Sequence, residues 1–168
     1  MIISIIYLVL SFILDGFMSN IFPSTLTDIS YFTTLYIIIS LVIIYPYFGN
    51  ERKYYILVMV FGLLFDILYT GTFIFNLILF FGIGIFIKVL YNIFPENVFT
   101  TSIISVLCIM IYHVISFAIL GLISNISYDF MLLIDIVIHS LFMTILYTSI
   151  SYFVMKIVYN RFNIKYIK

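Results

Sequence analysis

Charge is what this sequence has least of. Seven lysines and arginines and seven aspartates and glutamates make up 8% of 168 residues, whereas 65% are hydrophobic. A soluble domain carries roughly 25% charged residues, so this chain has too little polar surface to clothe a globule in water. Its charges cancel, and no basic run offers a footprint for a nucleic-acid partner. Cysteine is nearly absent as well. Cys108 stands alone, which excludes an internal disulfide, and no Cys/His cluster has zinc spacing. It reads as a buried, inert thiol. The metalloprotease His-Glu pattern, the Gly-x-Ser-x-Gly elbow and any nucleotide-binding motif are all missing. No catalytic residue, metal or cofactor is therefore expected, and ATP-driven transport would need a separate subunit. Residues 1–14 lack a basic n-region, and the following Asp15, Gly16 and Phe17 make no small-x-small cleavage site. That segment is expected to remain as a first membrane span.

What the chain does have is long apolar runs. A helix needs about 20 apolar residues to cross the hydrocarbon. Six runs qualify, at residues 2–18, 30–48, 54–69, 73–94, 98–123 and 130–159, the last long enough to require tilt. The runs are apolar on both parities, which argues against a membrane barrel. Short loops at 19–29, 49–53, 70–72, 95–97 and 124–129 connect them. Pro46 and Pro95 fall at span ends, where proline costs a helix least. Tyr45, Tyr47, Tyr54, Tyr55 and Tyr91 fall at expected interfaces, as aromatic anchors. The reading is a single all-α integral membrane domain over residues 1–168, a bundle of six transmembrane helices.

Orientation follows from the basic residues. Arg52, Lys53, Lys88, Lys156, Arg161, Lys165 and Lys168 all reach one side if both termini are inside and Lys88 extends down to the interface. With the termini inside, Asp15, Asp66, Asn76, His113 and Asp135 fall in the outer half of the bilayer, with His139 nearer the middle. Ionisable groups within spans are costly and mark function or a buried pair. Asp135 and His139 share a helix face. Gly62 lies one turn before Asp66 and permits close approach of another helix. Two readings of this layer stand open: an interhelical hydrogen-bond network, or an outward pocket for a small polar ligand or proton relay. A second stripe, Ser140, Thr144, Thr148 and Ser151, runs along the sixth span. It serves either packing within the bundle or a partner protein. Gly82-Ile83-Gly84 reads as a close-packing point, since no strand precedes it.

The stretch Gly62-Leu63-Leu64-Phe65-Asp66-Ile67-Leu68-Tyr69, continued by Thr70-Gly71-Thr72-Phe73-Ile74-Phe75-Asn76, resembles the signature region of the MreD family of rod shape-determining membrane proteins. It departs from the common form at Phe75, where a glycine often precedes the Asn. The resemblance implies a non-enzymatic component of the bacterial inner membrane that supports MreC and lateral peptidoglycan synthesis. It implies MreB, RodA and a penicillin-binding transpeptidase as indirect partners. It also implies a bundle similar to the substrate-binding subunits of energy-coupling-factor vitamin transporters. A transporter subunit of that kind is the competing reading, motivated by the outer polar layer. An intramembrane enzyme using His113 or His139 is a third.

Overall fold

The computed structural model describes residues 2–21, 34–124 and 130–162. The expected loop residues 22–29, the span start at 30–33, most of the 124–129 loop, and Lys165 and Lys168 lie outside these. The described residues form helices α1 (Ile2–Ile21), α2 (Tyr36–Ile44), α3 (Glu51–Phe65), α4 (Phe75–Ile93), α5 (Val98–Ser124) and α6 (Phe130–Arg161), with no strand among them. A 3₁₀ turn, Tyr45–Tyr47, extends α2, and a π-helical turn, Asp66–Thr70, extends α3.

The surface inverts the pattern of a soluble protein. Along α1 up to Phe17 the exposed side chains are Ile2, Ile6, Val9, Leu10, Ile13 and Phe17, while Ser4, Ser11 and Asp15 are buried with Leu8 and Phe12. Both sets recur at helical spacing, so apolar groups face outward and polar groups face inward. That arrangement suits lipid, where hydroxyls and amides must be satisfied by neighbouring helices. Among the described residues, five helical stretches are long and apolar enough to cross a membrane: Ile2–Ile21, Glu51–Thr70, Phe75–Ile93, Val98–Ile119 and Met131–Arg161. The chain is a multi-pass helical membrane bundle.

The second expected span is the exception. Its apolar helix, Tyr36–Tyr47, is too short to cross about 30 Å of hydrocarbon at about 1.5 Å per residue. Helix α2 is instead the core. Every residue from Tyr36 to Ile44 is buried, none more than 2% exposed. It packs against α1, α4, α5 and α6, while α3 packs on α4 and α5 on α6. A helix enclosed on all sides needs no polar face, which explains its unbroken run of apolar residues around a single Ser40.

One end of the bundle collects the cations. Lys88 Nζ reaches Glu51 Oε2 at 2.6 Å, which brings the end of α4 to the start of α3, beside Arg52 and Lys53. The Tyr159 hydroxyl contacts Ser4 Oγ at 2.8 Å, and its ring stacks on Tyr47 at 4.0 Å. These contacts place the α6 C-terminus, with Arg161, against the α1 N-terminus and the α2 C-terminus. Lys156 lies 5.6 Å from the Tyr152 ring. Tyr47 also donates to Glu96 Oε1, in the α4–α5 turn, at 3.2 Å. Burial raises the Glu96 pKa above the ordinary glutamate value, opposed by that hydrogen bond and by the nearby Lys156. Tyr45, Tyr47, Tyr55 and Tyr91 are half-buried at this end, as interface anchors would be. Tyr54 departs from that expectation: it is fully buried, and its hydroxyl donates to Leu41 O at 3.3 Å.

The α6 stripe settles inside. Ser140, Thr144, Thr148 and Ser151 are all buried, and Thr144 Oγ1 lies 2.8 Å from Thr34 Oγ1. Packing within the bundle occupies this face of α6.

Candidate functional site

Helices α3 and α5 begin conventionally. Asn50 Oδ1 accepts from Lys53 N at 3.3 Å, and Asn97 Oδ1 accepts from Thr100 N at 2.7 Å. Such side-chain caps satisfy amides that have no partner within the helix. Helices α2 and α4 have no local cap, since Leu35 and Ile74 stand at those positions. Both are capped from another helix, and in both cases by a buried aspartate.

Asp66 caps α4. Its Oδ1 accepts from Asn76 N at 2.9 Å, Asn76 Nδ2 at 3.0 Å and the Thr72 hydroxyl at 2.5 Å, and its Oδ2 accepts from Leu77 N at 3.0 Å. The residue is only 1% exposed. Three features of the backbone make this possible. The π turn begins at Asp66 and widens the chain just after it. Gly71, at φ +62°, reverses the chain. Ile74 then holds φ +66°, a left-handed conformation that a β-branched residue adopts only under strain from its surroundings. That strain is offset where the second and third amides of α4, those of Asn76 and Leu77, meet the carboxylate.

Asn76 extends the unit. Its Nδ2 also donates to Thr70 Oγ1 at 3.0 Å, and its Oδ1 accepts from the Tyr112 hydroxyl at 2.9 Å, which ties in α5. Gly62 supplies the close approach. A Cβ built there would lie 2.8 Å from Leu77 Cα and 2.9 Å from Asn76 O, both backbone atoms. Only glycine lets α3 lie this near the first turn of α4. Gly62, Asp66 and Asn76 thus form one interlocked element.

Asp15 repeats the device for α2. Its Oδ1 accepts from Tyr36 N at 2.8 Å and its Oδ2 from Ile37 N at 2.9 Å. The two caps are linked through Tyr69 of the π turn, whose hydroxyl donates to Phe12 O at 2.7 Å. The ring of Tyr69 also packs on Gly16, where a Cβ would meet Oη at 2.6 Å. Helix α1 is thereby held against the turn that carries Asp66.

The remaining expected members of the layer do not join this unit through any hydrogen bond shown among the described residues. His113 is half-buried, packs edge-on to Tyr112 at 5.7 Å, and its Nε2 has no hydrogen-bond partner. His139 Nδ1 lies 2.7 Å from the backbone carbonyl of Asp135, so within their shared face the contact runs to the main chain. Both residues are half-buried on α6. The structure adds Tyr69, Thr70, Thr72 and Tyr112, which sequence reasoning does not single out. Thr70 and Thr72 flank Gly71 in the turn that it does mark. Tyr112 is next to His113, but on the face of α5 that points inward.

Chemically, the unit is a set of filled acceptors. Oδ1 of Asp66 takes three donors and Oδ2 a backbone amide, which leaves little capacity for a ligand. No cluster of three His, Cys, Asp or Glu able to hold a metal occurs among the described residues. Comparison of the chain with protein-family models, with curated proteins and with solved structures finds no match.

Proposed function

We propose that the chain is an MreD-like, non-enzymatic component of a bacterial cell-elongation complex in the cytoplasmic membrane. In this reading it holds the membrane helix of an MreC-like protein and so supports lateral wall synthesis by RodA and a penicillin-binding transpeptidase, in step with MreB. The observation that carries the reading is the Gly62–Asp66–Asn76 element. The residues on which the family resemblance rests each have a distinct physical job within a single turn. Depletion of the protein from a rod-shaped host should round the cells, and the tagged protein should co-purify with an MreC-like partner. Rods that persist, together with absence of that partner, would refute the assignment.

The competing reading, a vitamin-binding transporter subunit, asks for polar groups turned toward a ligand. Asp15 and Asp66 are turned toward backbone amides instead, which favours the scaffold. For orientation, the basic end is assigned to the cytoplasm, with both termini inside. In a Cys108→Ala background, Arg52→Cys should be labelled only from the cytoplasmic side and Phe73→Cys only from outside. Labelling of both from one side would overturn the orientation.

A further inference from the structure

Toward the basic end of the bundle, α5 and α6 part and leave a groove of about 450 Å³. It follows α5 from Val98 to Leu107, roughly 14 Å of rise, and α6 at Ile145 and Ser149. Two short side chains, Ser102 and Ser149, face it from its opposite walls. Their hydroxyls donate back to Val98 O at 2.9 Å and to Ile145 O at 2.8 Å, so neither asks for a polar guest. Phe99, Ile103 and Ile145 are exposed along it, so the groove opens toward lipid.

A cation stands beyond its inner end. Ile145, Ser149, Tyr152 and Lys156 recur at helical spacing and share one face of α6. Lys156 Nζ lies 5.6 Å from the centre of the Tyr152 ring, so the side chain leans back along the helix toward Ser149. The start of α5 lies at the same level. Tyr47 donates to Glu96, two residues before Val98, at 3.2 Å, and stacks on Tyr159, three residues after Lys156. Glu96 is thus engaged by Tyr47, and it forms no ion pair with Lys156.

We propose that this groove seats one acyl chain of an anionic phospholipid, whose headgroup phosphate meets the Lys156 ammonium. A phospholipid has both parts in the required order, an apolar chain at hydrocarbon depth and an anion at the membrane surface. Lysine near that surface attracts anionic headgroups. A helix about 10 Å across would fill roughly 1,100 Å³ over the same length, more than twice the space present, whereas a single hydrocarbon chain is thin enough to enter. The groove between α4 and α5, lined by Ile78, Gly82 and Ile115 among others, has comparable room but no charged residue along it. It accepts lipid chains without regard to headgroup.

Native mass spectrometry of the detergent-purified protein, offered equal amounts of phosphatidylglycerol and phosphatidylcholine with identical chains, tests this. Phosphatidylglycerol should be retained in about fivefold preference, the weight of one lysine near the membrane surface. Lys156→Gln should abolish the preference yet keep bound lipid, because the groove is untouched. Ser149→Phe fills the groove and should remove the preferred lipid. Ser102→Leu does the same from the opposite wall, should the first variant fail to fold. Arg52→Gln, at the same end of the bundle but on α3, should keep the full preference. Equal retention of the two lipids, a preference that survives Lys156→Gln or both groove-filling variants, or one that falls as far in Arg52→Gln would overturn the proposal. A dimer abolished by Ser149→Phe would also overturn it, giving the groove to a second copy of the chain.

Discussion

Asp66→Ala is expected to lower the melting temperature of the detergent-solubilised protein by roughly 10 °C, a loss of about 4 kcal/mol. The substitution removes the acceptor for Asn76 N–H, Leu77 N–H, Asn76 Nδ2 and the Thr72 hydroxyl at once. Two of these are main-chain amides at the start of a helix, and no local cap stands ready to replace the carboxylate. Asp66→Asn keeps an acceptor oxygen but offers an NH₂ group to a remaining donor, so it should fall between Ala and the unmodified protein. The single cysteine provides the measurement. Cys108 is fully buried, and a thiol-reactive fluorogenic maleimide will report it only as the bundle opens. Glu51→Gln is the control, because its ion pair with Lys88 is half-exposed and solvent screening leaves such pairs little weight in stability. A melting curve for Asp66→Ala that overlays this control would remove the cap from the list of what holds the fold.

Gly62→Ala should cost about 2–3 kcal/mol, because small-to-large changes at a close contact force backbone shifts. The new methyl group would meet Leu77 Cα at 2.8 Å, Asn76 O at 2.9 Å and Leu77 N at 3.2 Å. None of these atoms can rotate away, so α3 and α4 must separate, and separation lengthens the Asp66 hydrogen bonds. Gly82→Ala, on the outer side of α4, meets nothing within 4 Å. It should be neutral or slightly stabilising, since alanine favours a helix over glycine by about 1 kcal/mol. Because Gly62 and Asp66 act on the same turn, their double substitution should cost less than the sum of the single ones. Equal melting temperatures for Gly62→Ala and Gly82→Ala would show that the close approach of α3 to α4 does not matter to stability.

These two positions are legible in the sequence because their chemistry is local. Gly62, Asp66 and Asn76 lie within one turn and a hairpin of each other, and an acid in an apolar run needs a partner. Asp15 raises the same question, but its answer lies 21 and 22 residues away, at Tyr36 and Ile37, beyond the reach of any spacing rule. Helix α2 illustrates a second limit. Hydropathy cannot distinguish a helix bathed in lipid from one enclosed by other helices, so a buried core helix reads as a span. Tyr112 and His113 show a third. Adjacent residues on a helix point about 100° apart. A histidine in an apolar run is conspicuous, whereas the tyrosine beside it, one of many, carries the hydroxyl that bonds. The Asp135/His139 spacing places both on one face, but spacing does not say whether a ring nitrogen will meet a carboxylate or a carbonyl.

The paired caps also bear on how the protein is made. Helix α1 carries the acid that completes α2, and α3 carries the acid that completes α4. In each pair the helix synthesised first holds the partner for the one that follows. As the nascent chain leaves the ribosome, the capping carboxylate is already in the membrane when the uncapped amides arrive. In each pair, two of the main-chain donors at the start of the later helix meet an acceptor carried by the earlier one. A short helix such as α2, unable to insert by length alone, gains its place in the bilayer from the segment made just before it.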